Sequence, residues 1–117
     1  MTEFKEKPLK QRQEEILRLL KKYPHKIPIH LEKNRSSLVG DMEKKKFLVP
    51  DELTVGQLLY TIRQRIKIRS EEALYIFFNK QLVNTNALMK EIYETHRSMD
   101  DDMLYGVYAT ENTFGTI

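Results

Sequence analysis

Apolar residues recur along the chain with periods that separate helices from strands. Leu9, Ile16, Leu20 and Tyr23 stand seven, four and three residues apart, with Leu17 and Leu19 beside them, which predicts a helix from Leu9 to Tyr23. Pro8 suits its first position and Pro24 ends it. Ile27, Ile29 and Leu31 then alternate with Pro28, His30 and Glu32, the pattern of a strand with a mixed second face. Pro28 argues against a regular central strand. Asn34 to Gly40 reads as a loop leading through Asp41 and Glu43 to a second strand, Lys46 to Val49. That strand sets Phe47 and Val49 on one face and Lys46 and Leu48 on the other, and Pro50 stops it. The two strands are placed to pair as a hairpin. Thr54-Val55-Gly56-Gln57 is a capping box that opens a helix with Leu58, Leu59, Ile62 and Ile66 on one face. Arg63, Arg65 and Lys67 load its other face and its C-terminal end, where positive charge suits the helix dipole.

Leu74 to Phe78 is apolar on both parities, the pattern of a strand covered on each side. The helix around Ile62 is expected over one face and the Leu9 to Tyr23 helix over the other. Asn79-Lys80 predicts a turn before a short Gln81 to Val83 segment. Thr85 is the expected cap of a second helix carrying Leu88, Met89, Ile92 and Tyr93, and Met103 to Ala109 is the last strand. A helix crossing from a hairpin to a parallel strand favours the right-handed connection. The order therefore gives an α+β fold, a β-grasp or ubiquitin-like mixed sheet with an added N-terminal helical layer. Residues 1–24 form the helical extension, 25–110 the core and 111–117 a flexible tail.

Composition narrows the chemistry. The 117 residues suit one domain, and 40% hydrophobic with 32% charged residues is a globular composition rather than a disordered one. A net charge of +3 permits acidic peptides, anionic membranes or nucleic acid without selecting among them. No cysteine is present, which excludes a disulfide, a thiolate metal site or a cysteine nucleophile in this chain and suits a reducing compartment. The longest apolar run, Ala73 to Phe78, is far too short to span a bilayer, so membrane association is expected to be peripheral or covalent. His25, His30 and His96 lack ligand spacing and are expected to be surface or partly buried histidines rather than a metal site. Asp100 to Asp102 lies in no EF-hand pattern and reads as a solvated turn. No metal, cofactor or catalytic constellation is expected, and so no enzyme. Lys44, Lys45 and Lys46 enter a strand that is apolar at Phe47, Leu48 and Val49. They are either charge that protects a sheet edge or a rail for acidic ligands.

Lys44-Lys45-Lys46-Phe47-Leu48-Val49-Pro50 followed by Leu53-Thr54-Val55-Gly56-Gln57 resembles the autophagy ubiquitin-like modifiers of the GABARAP family. Lys21-Lys22-Tyr23-Pro24, Ile62-Arg63-Gln64-Arg65-Ile66, Leu104-Tyr105 and Glu111-Asn112-Thr113-Phe114-Gly115 extend the resemblance in the same order along almost the whole chain. It implies a lipid-conjugated tag and adaptor, cytoplasmic until lipidated and then on the autophagosomal membrane. It also implies that ligand segments of the form aromatic-x-x-aliphatic add themselves to the edge of the second strand. Their aromatic anchor would enter a pocket of Glu15, Leu19, Pro28, His30, Lys46, Leu48 and Met103. Their aliphatic anchor would enter one of Phe47, Val49, Pro50, Leu53, Leu58 and Thr61, with Lys44 and Arg65 attracting preceding acidic residues. His30 stands where the family has an aliphatic residue, Thr61 where it has a larger apolar one, and Leu58 and Met103 where it has aromatics.

The same resemblance gives the tail its chemistry. Phe114 would serve recognition of the tail, and a cysteine protease would remove Thr116 and Ile117. Activating and conjugating enzymes would then transfer Gly115 to phosphatidylethanolamine, glycine having no Cβ to obstruct a narrow channel or the attacking amine. The competing reading is an unconjugated β-grasp module that binds peptides or cytoskeletal surfaces through Lys44 to Lys46 and the basic helix face. Nucleic-acid binding rests only on the charge balance and is not expected.

Overall fold

The structure, a computed structural model, describes residues 4–35, 40 and 42–110. A 3-10 turn over Phe4–Glu6 precedes α1 (Leu9–Lys22), β1 (Lys26–Lys33), β2 (Lys46–Pro50), α2 (Val55–Arg65), β3 (Leu74–Phe78), β4 (Gln81–Leu82), α3 (Met89–His96) and β5 (Leu104–Thr110). The strands form one sheet in the order β2-β1-β5-β3-β4, parallel between β1 and β5 and antiparallel elsewhere. This is the mixed β-grasp sheet, with β2 and β4 at its edges. Local chemistry sets the junctions. The Thr54 hydroxyl accepts the Gln57 amide at 3.1 Å and the Gln57 side chain accepts the Thr54 amide at 2.9 Å, completing the capping box. Asn79 and Lys80 both take positive φ, 51° and 62°, the conformation that a tight two-residue hairpin needs between β3 and β4.

Two apolar clusters lie on opposite faces of the sheet. On one, Val55, Leu58, Ile62 and Ile66 of the α2 region and Met89 and Ile92 of α3 pack with Ile29, Val49, Ile76, Phe78, Leu104 and Tyr108. On the other, Phe4, Ile16 and Met103 are buried together, with Leu19, Leu20 and Tyr105 against them. The N-terminal helix therefore does form a second layer, but a narrower one than the pattern of β3 suggests. Leu74, Ile76 and Phe78 are buried, whereas Tyr75 and Phe77, on the other parity, are half-buried. A single helix is about 10 Å wide and spans roughly two strands spaced 4.8 Å apart. Within the sheet, α1 packs principally against β1.

Other expectations shift for local reasons. Pro28 sits within β1, between two neighbours, at a position opposite Leu48 of β2 but one residue before the pairing with β5 begins at Ile29. Its missing N–H thus removes no bond from that ladder. The last strand starts at Leu104 and runs to Thr110, one residue later than Met103 to Ala109. Thr85 does not cap α3. The helix starts at Met89 after Leu88, whose amide donates to the Glu91 carboxylate at 2.9 Å, while the Thr85 carbonyl accepts the Gly56 amide at 2.9 Å. His30 is buried, although His25 is exposed and His96 intermediate.

Gly106 is required by close approach. A Cβ there would lie 2.7 Å from both the Leu31 side chain and the Phe78 ring. Both residues are fully buried. Gly106→Ala is expected to overpack the sheet by about 1–3 kcal/mol. Thermal unfolding followed by circular dichroism should show Tm lower by roughly 5–15 °C.

Candidate functional site

Among the described residues the edge strand β2 is paired on one side only, and alternation decides which of its backbone groups are used. The Leu31 amide donates to the Lys45 carbonyl and the Asp51 amide to the His25 carbonyl, each at 2.9 Å. In an antiparallel ladder, alternate residues share this orientation, so Phe47 and Val49 also bond toward β1. Lys46 and Leu48 consequently turn their N–H and C=O groups to the free edge. Their side chains point to the α1 face of the sheet, and those of Phe47 and Val49 to the α2 face.

On the α1 face, Lys46 Nζ bonds Glu15 at 2.8 Å and Lys7 Nζ bonds the other Glu15 oxygen at 3.3 Å. Burial opposes the Glu15 charge, but Lys46 and then Lys7 hold its carboxyl below the ordinary carboxylate range. Both ammonium groups also lie over the Phe4 ring, 4.9 Å from its centre for Lys46 and 5.5 Å for Lys7. An open cavity of about 370 Å³ adjoins them, with Phe4, Lys7, His30, Lys44 and Lys46 in its walls. Leu19 and Met103 pack in the cluster beneath, and Pro28 faces Leu48 across the ladder. Of the seven residues expected in the aromatic pocket, His30 and Lys46 line this cavity, Glu15 is joined to Lys46, Leu19 and Met103 share a cluster with Phe4, and Pro28 and Leu48 are paired across the ladder.

On the α2 face, Arg65 stands 5.7 Å from the centre of the Phe47 ring. A second open cavity, of about 500 Å³, has Leu53, Thr61, Gln57 and Tyr60 in its walls. Phe47 and Leu53 pack against the main core and are partly exposed, and Pro50 is exposed. Val49 is buried and Leu58 has no exposed surface, so these two support this side from beneath. The Thr61 hydroxyl donates back to the Gln57 carbonyl at 3.1 Å, which leaves its methyl group as the apolar part. Lys44 is exposed beside the first cavity. Phe114 and Gly115 lie outside the described residues. Among the described residues no group of His, Asp or Glu is arranged to hold a metal ion.

The Atg8 family profile, described as autophagy protein Atg8 ubiquitin like, matches residues 11–115. The chain belongs to the Atg8 family. It is 47% identical over 110 residues to autophagy-related protein 8a of Arabidopsis thaliana, covering 94% of this chain and 89% of that protein. It is 49% identical over 106 residues to autophagy-related protein 8 of Schizosaccharomyces pombe, covering 91% and 87%. The crystal structure of Trypanosoma brucei ATG8 superposes with a TM-score of 0.86 at 31% identity, covering 95% of this chain and 96% of that one. As an Atg8 protein, the chain is an autophagy-related ubiquitin-like modifier and not an enzyme.

Two parts of this Atg8 protein's site escaped the reading of the sequence. Phe4 is one; a lone aromatic in a charged N-terminal run gave the only signal. Asp101 is the other, expected in a solvated turn but buried instead. Its carboxylate accepts Arg12 at 2.6 Å, the Tyr105 hydroxyl at 2.6 Å and the Met103 amide at 2.9 Å, tying α1 to β5. Desolvation opposes the Arg12 charge, but the bond to Asp101 carries its pKa above the ordinary value. Tyr105 is raised by burial and by Asp101, and Tyr93 is pushed up to about 12 by burial and Asp102. A raised folded-state pKa stabilises fully below the unfolded value near 10 and is lost as pH rises through the folded one. Stability is therefore expected to fall between pH 10 and about 12, with delayed phenolate absorbance from these two tyrosines in an alkaline titration.

Proposed function

We propose that this Atg8 protein is processed after Gly115, conjugated to phosphatidylethanolamine, and used on autophagic membranes to recruit receptors bearing aromatic-x-x-aliphatic motifs. The free edge of β2 supports the recruiting role most directly. An extended ligand can bond the outward N–H and C=O groups of Lys46 and Leu48, which supplies sequence-tolerant affinity. Residues three apart in such a strand point to opposite faces. An aromatic and an aliphatic at that spacing would therefore straddle β2, one toward Glu15, Leu19, Pro28, His30, Lys46, Leu48 and Met103, the other toward Phe47, Val49, Pro50, Leu53, Leu58 and Thr61. Lys44 and Arg65 would draw in preceding acidic residues.

Among the described residues no helix is long and apolar enough to cross a membrane. Phosphatidylethanolamine brings two acyl chains, the number that stable anchoring of a protein requires. In this reading residues 1–24 are a helical layer added to a core of 25–110, and 111–117 are the tail that partner enzymes recognise at Phe114 and join through Gly115. The protein is cytoplasmic before conjugation and on the autophagosomal membrane after it. A processing cysteine protease and the activating and conjugating enzymes supply the catalytic groups, and no cofactor is needed from this chain.

Calorimetric titration with a peptide of three glutamates followed by Trp-Ala-Ala-Leu tests the recruiting site. The double variant Lys46→Ala, Leu48→Ala should bind at least about ten-fold more weakly, since it loses an ion-pairing ammonium and an apolar wall. Unchanged binding would place the ligand elsewhere.

A further inference from the structure

Phe4 lies among residues that the peptide-binding reading assigns to a ligand's aromatic anchor, Leu19, Lys46 and Met103. Its ring is 3% exposed and buried with Met103 and Ile16, with Leu19 packed against the same cluster. Pro28 and His30, on the sheet beneath, are buried too, and Met103 has no exposed surface. The aromatic-anchor site thus has a closed floor, and its lid belongs to the chain itself. The Lys46 ammonium, which borders that site, lies 4.9 Å from the centre of the Phe4 ring. Lys7 lies on the ring as well, and both ammonium groups are fixed by the one Glu15 carboxylate.

The backbone hold on Phe4 is local. It sits in a single 3-10 turn closed by the Lys7 amide to the Phe4 carbonyl at 3.1 Å. Arg12 fastens the end of that turn by donating from Nε to the Lys7 carbonyl at 3.0 Å. Only Lys7 and Pro8 separate the turn from α1, which is anchored independently through Arg12 and Asp101. The ring can therefore leave without unpacking the helix. The open cavity beside Phe4 and Lys46 gives an incoming side chain a place to start.

We infer that Phe4 is a built-in competitor that occupies the aromatic-anchor site of the β2 edge, so that a peptide's aromatic residue binds by displacing it. This rests on the peptide-binding reading of that edge. Affinity is then reduced by the fraction of molecules in which the site is closed. Acidic residues ahead of the anchor help to open it, because they offer Lys46 and Lys7 carboxylates in place of Glu15.

The test uses the full chain and a peptide of three glutamates followed by Phe-Ala-Ala-Leu, which contains no tryptophan. Phe4→Ala should bind it on the order of ten-fold more tightly than the natural chain. The protein has no tryptophan of its own, so the indole introduced by Phe4→Trp reports on this one site. Its emission should shift to the red on saturation with peptide as the ring moves into water. Equal or weaker binding by Phe4→Ala, or an unshifted indole at saturation, would overturn the inference. Leu48→Ala separates the two readings. If the natural chain binds in a Leu48-dependent manner, the edge site stands and Phe4 alone is in question; if no form binds, both fall.

Discussion

Gly115→Ala should abolish formation of the lipid conjugate while leaving Tm unchanged. The cause is confined to the reacting end of the chain. Each transfer needs the carbonyl carbon of the last residue to meet a thiolate and then an amine at close range, and misplacement by about 1 Å costs on the order of 100-fold in rate. A methyl group on the adjacent carbon imposes that displacement at every enzyme in turn. Mass spectrometry in an extract containing the family's processing machinery should show the natural chain losing Thr116 and Ile117 and then gaining a lipid. The variant should gain none. Normal conjugation of Gly115→Ala would mean that a different carboxylate is used.

Asp101→Ala is expected to destabilise the attachment of the N-terminal layer strongly. The carboxylate is buried and gathers Arg12, the Tyr105 hydroxyl and the Met103 amide. Removing it leaves the hydroxyl and the amide without their acceptor, at a cost of about 1–3 kcal/mol each. Tm should fall by roughly 10–20 °C. Asp101→Asn keeps one acceptor oxygen and should fall between the variant and the natural chain. Because Met103 belongs to the cluster that buries Phe4, loss of Asp101 should also expose that ring. A Tm within a degree or two of the natural chain would show that α1 is held by its apolar face alone.

The contrast between Thr54 and Asp101 shows what the sequence could carry. The capping box is local; both partners lie within three residues, and the strand before it and the helix after it have clear periods. The face assignments of Phe47, Leu48 and Val49 follow from alternation in the same way. Asp101 is in a run of three acids that looks solvated, and its partner Arg12 is 89 residues away. Nothing local distinguishes it from Asp100 or Asp102. The half-open back of β3 was illegible for a related reason. Tyr75 and Phe77 show that a surface is apolar, but how far α1 extends across the sheet depends on docking at β1. Likewise the residues expected to form the pockets could be assembled only through a resemblance, because Glu15, Pro28, Lys46 and Met103 come from separate elements.

Hydrogen exchange at four consecutive amides of β2 tests strand addition most directly. In the free chain, Phe47 and Val49 donate toward β1 and should exchange slowly, while Lys46 and Leu48 face the open edge and should exchange fast. Saturation with the glutamate-rich Trp-Ala-Ala-Leu peptide should slow Lys46 and Leu48 by on the order of ten-fold or more and leave the other two protected as before. Peptide bound with the Lys46 and Leu48 amides still exchanging freely would contradict recognition at this edge.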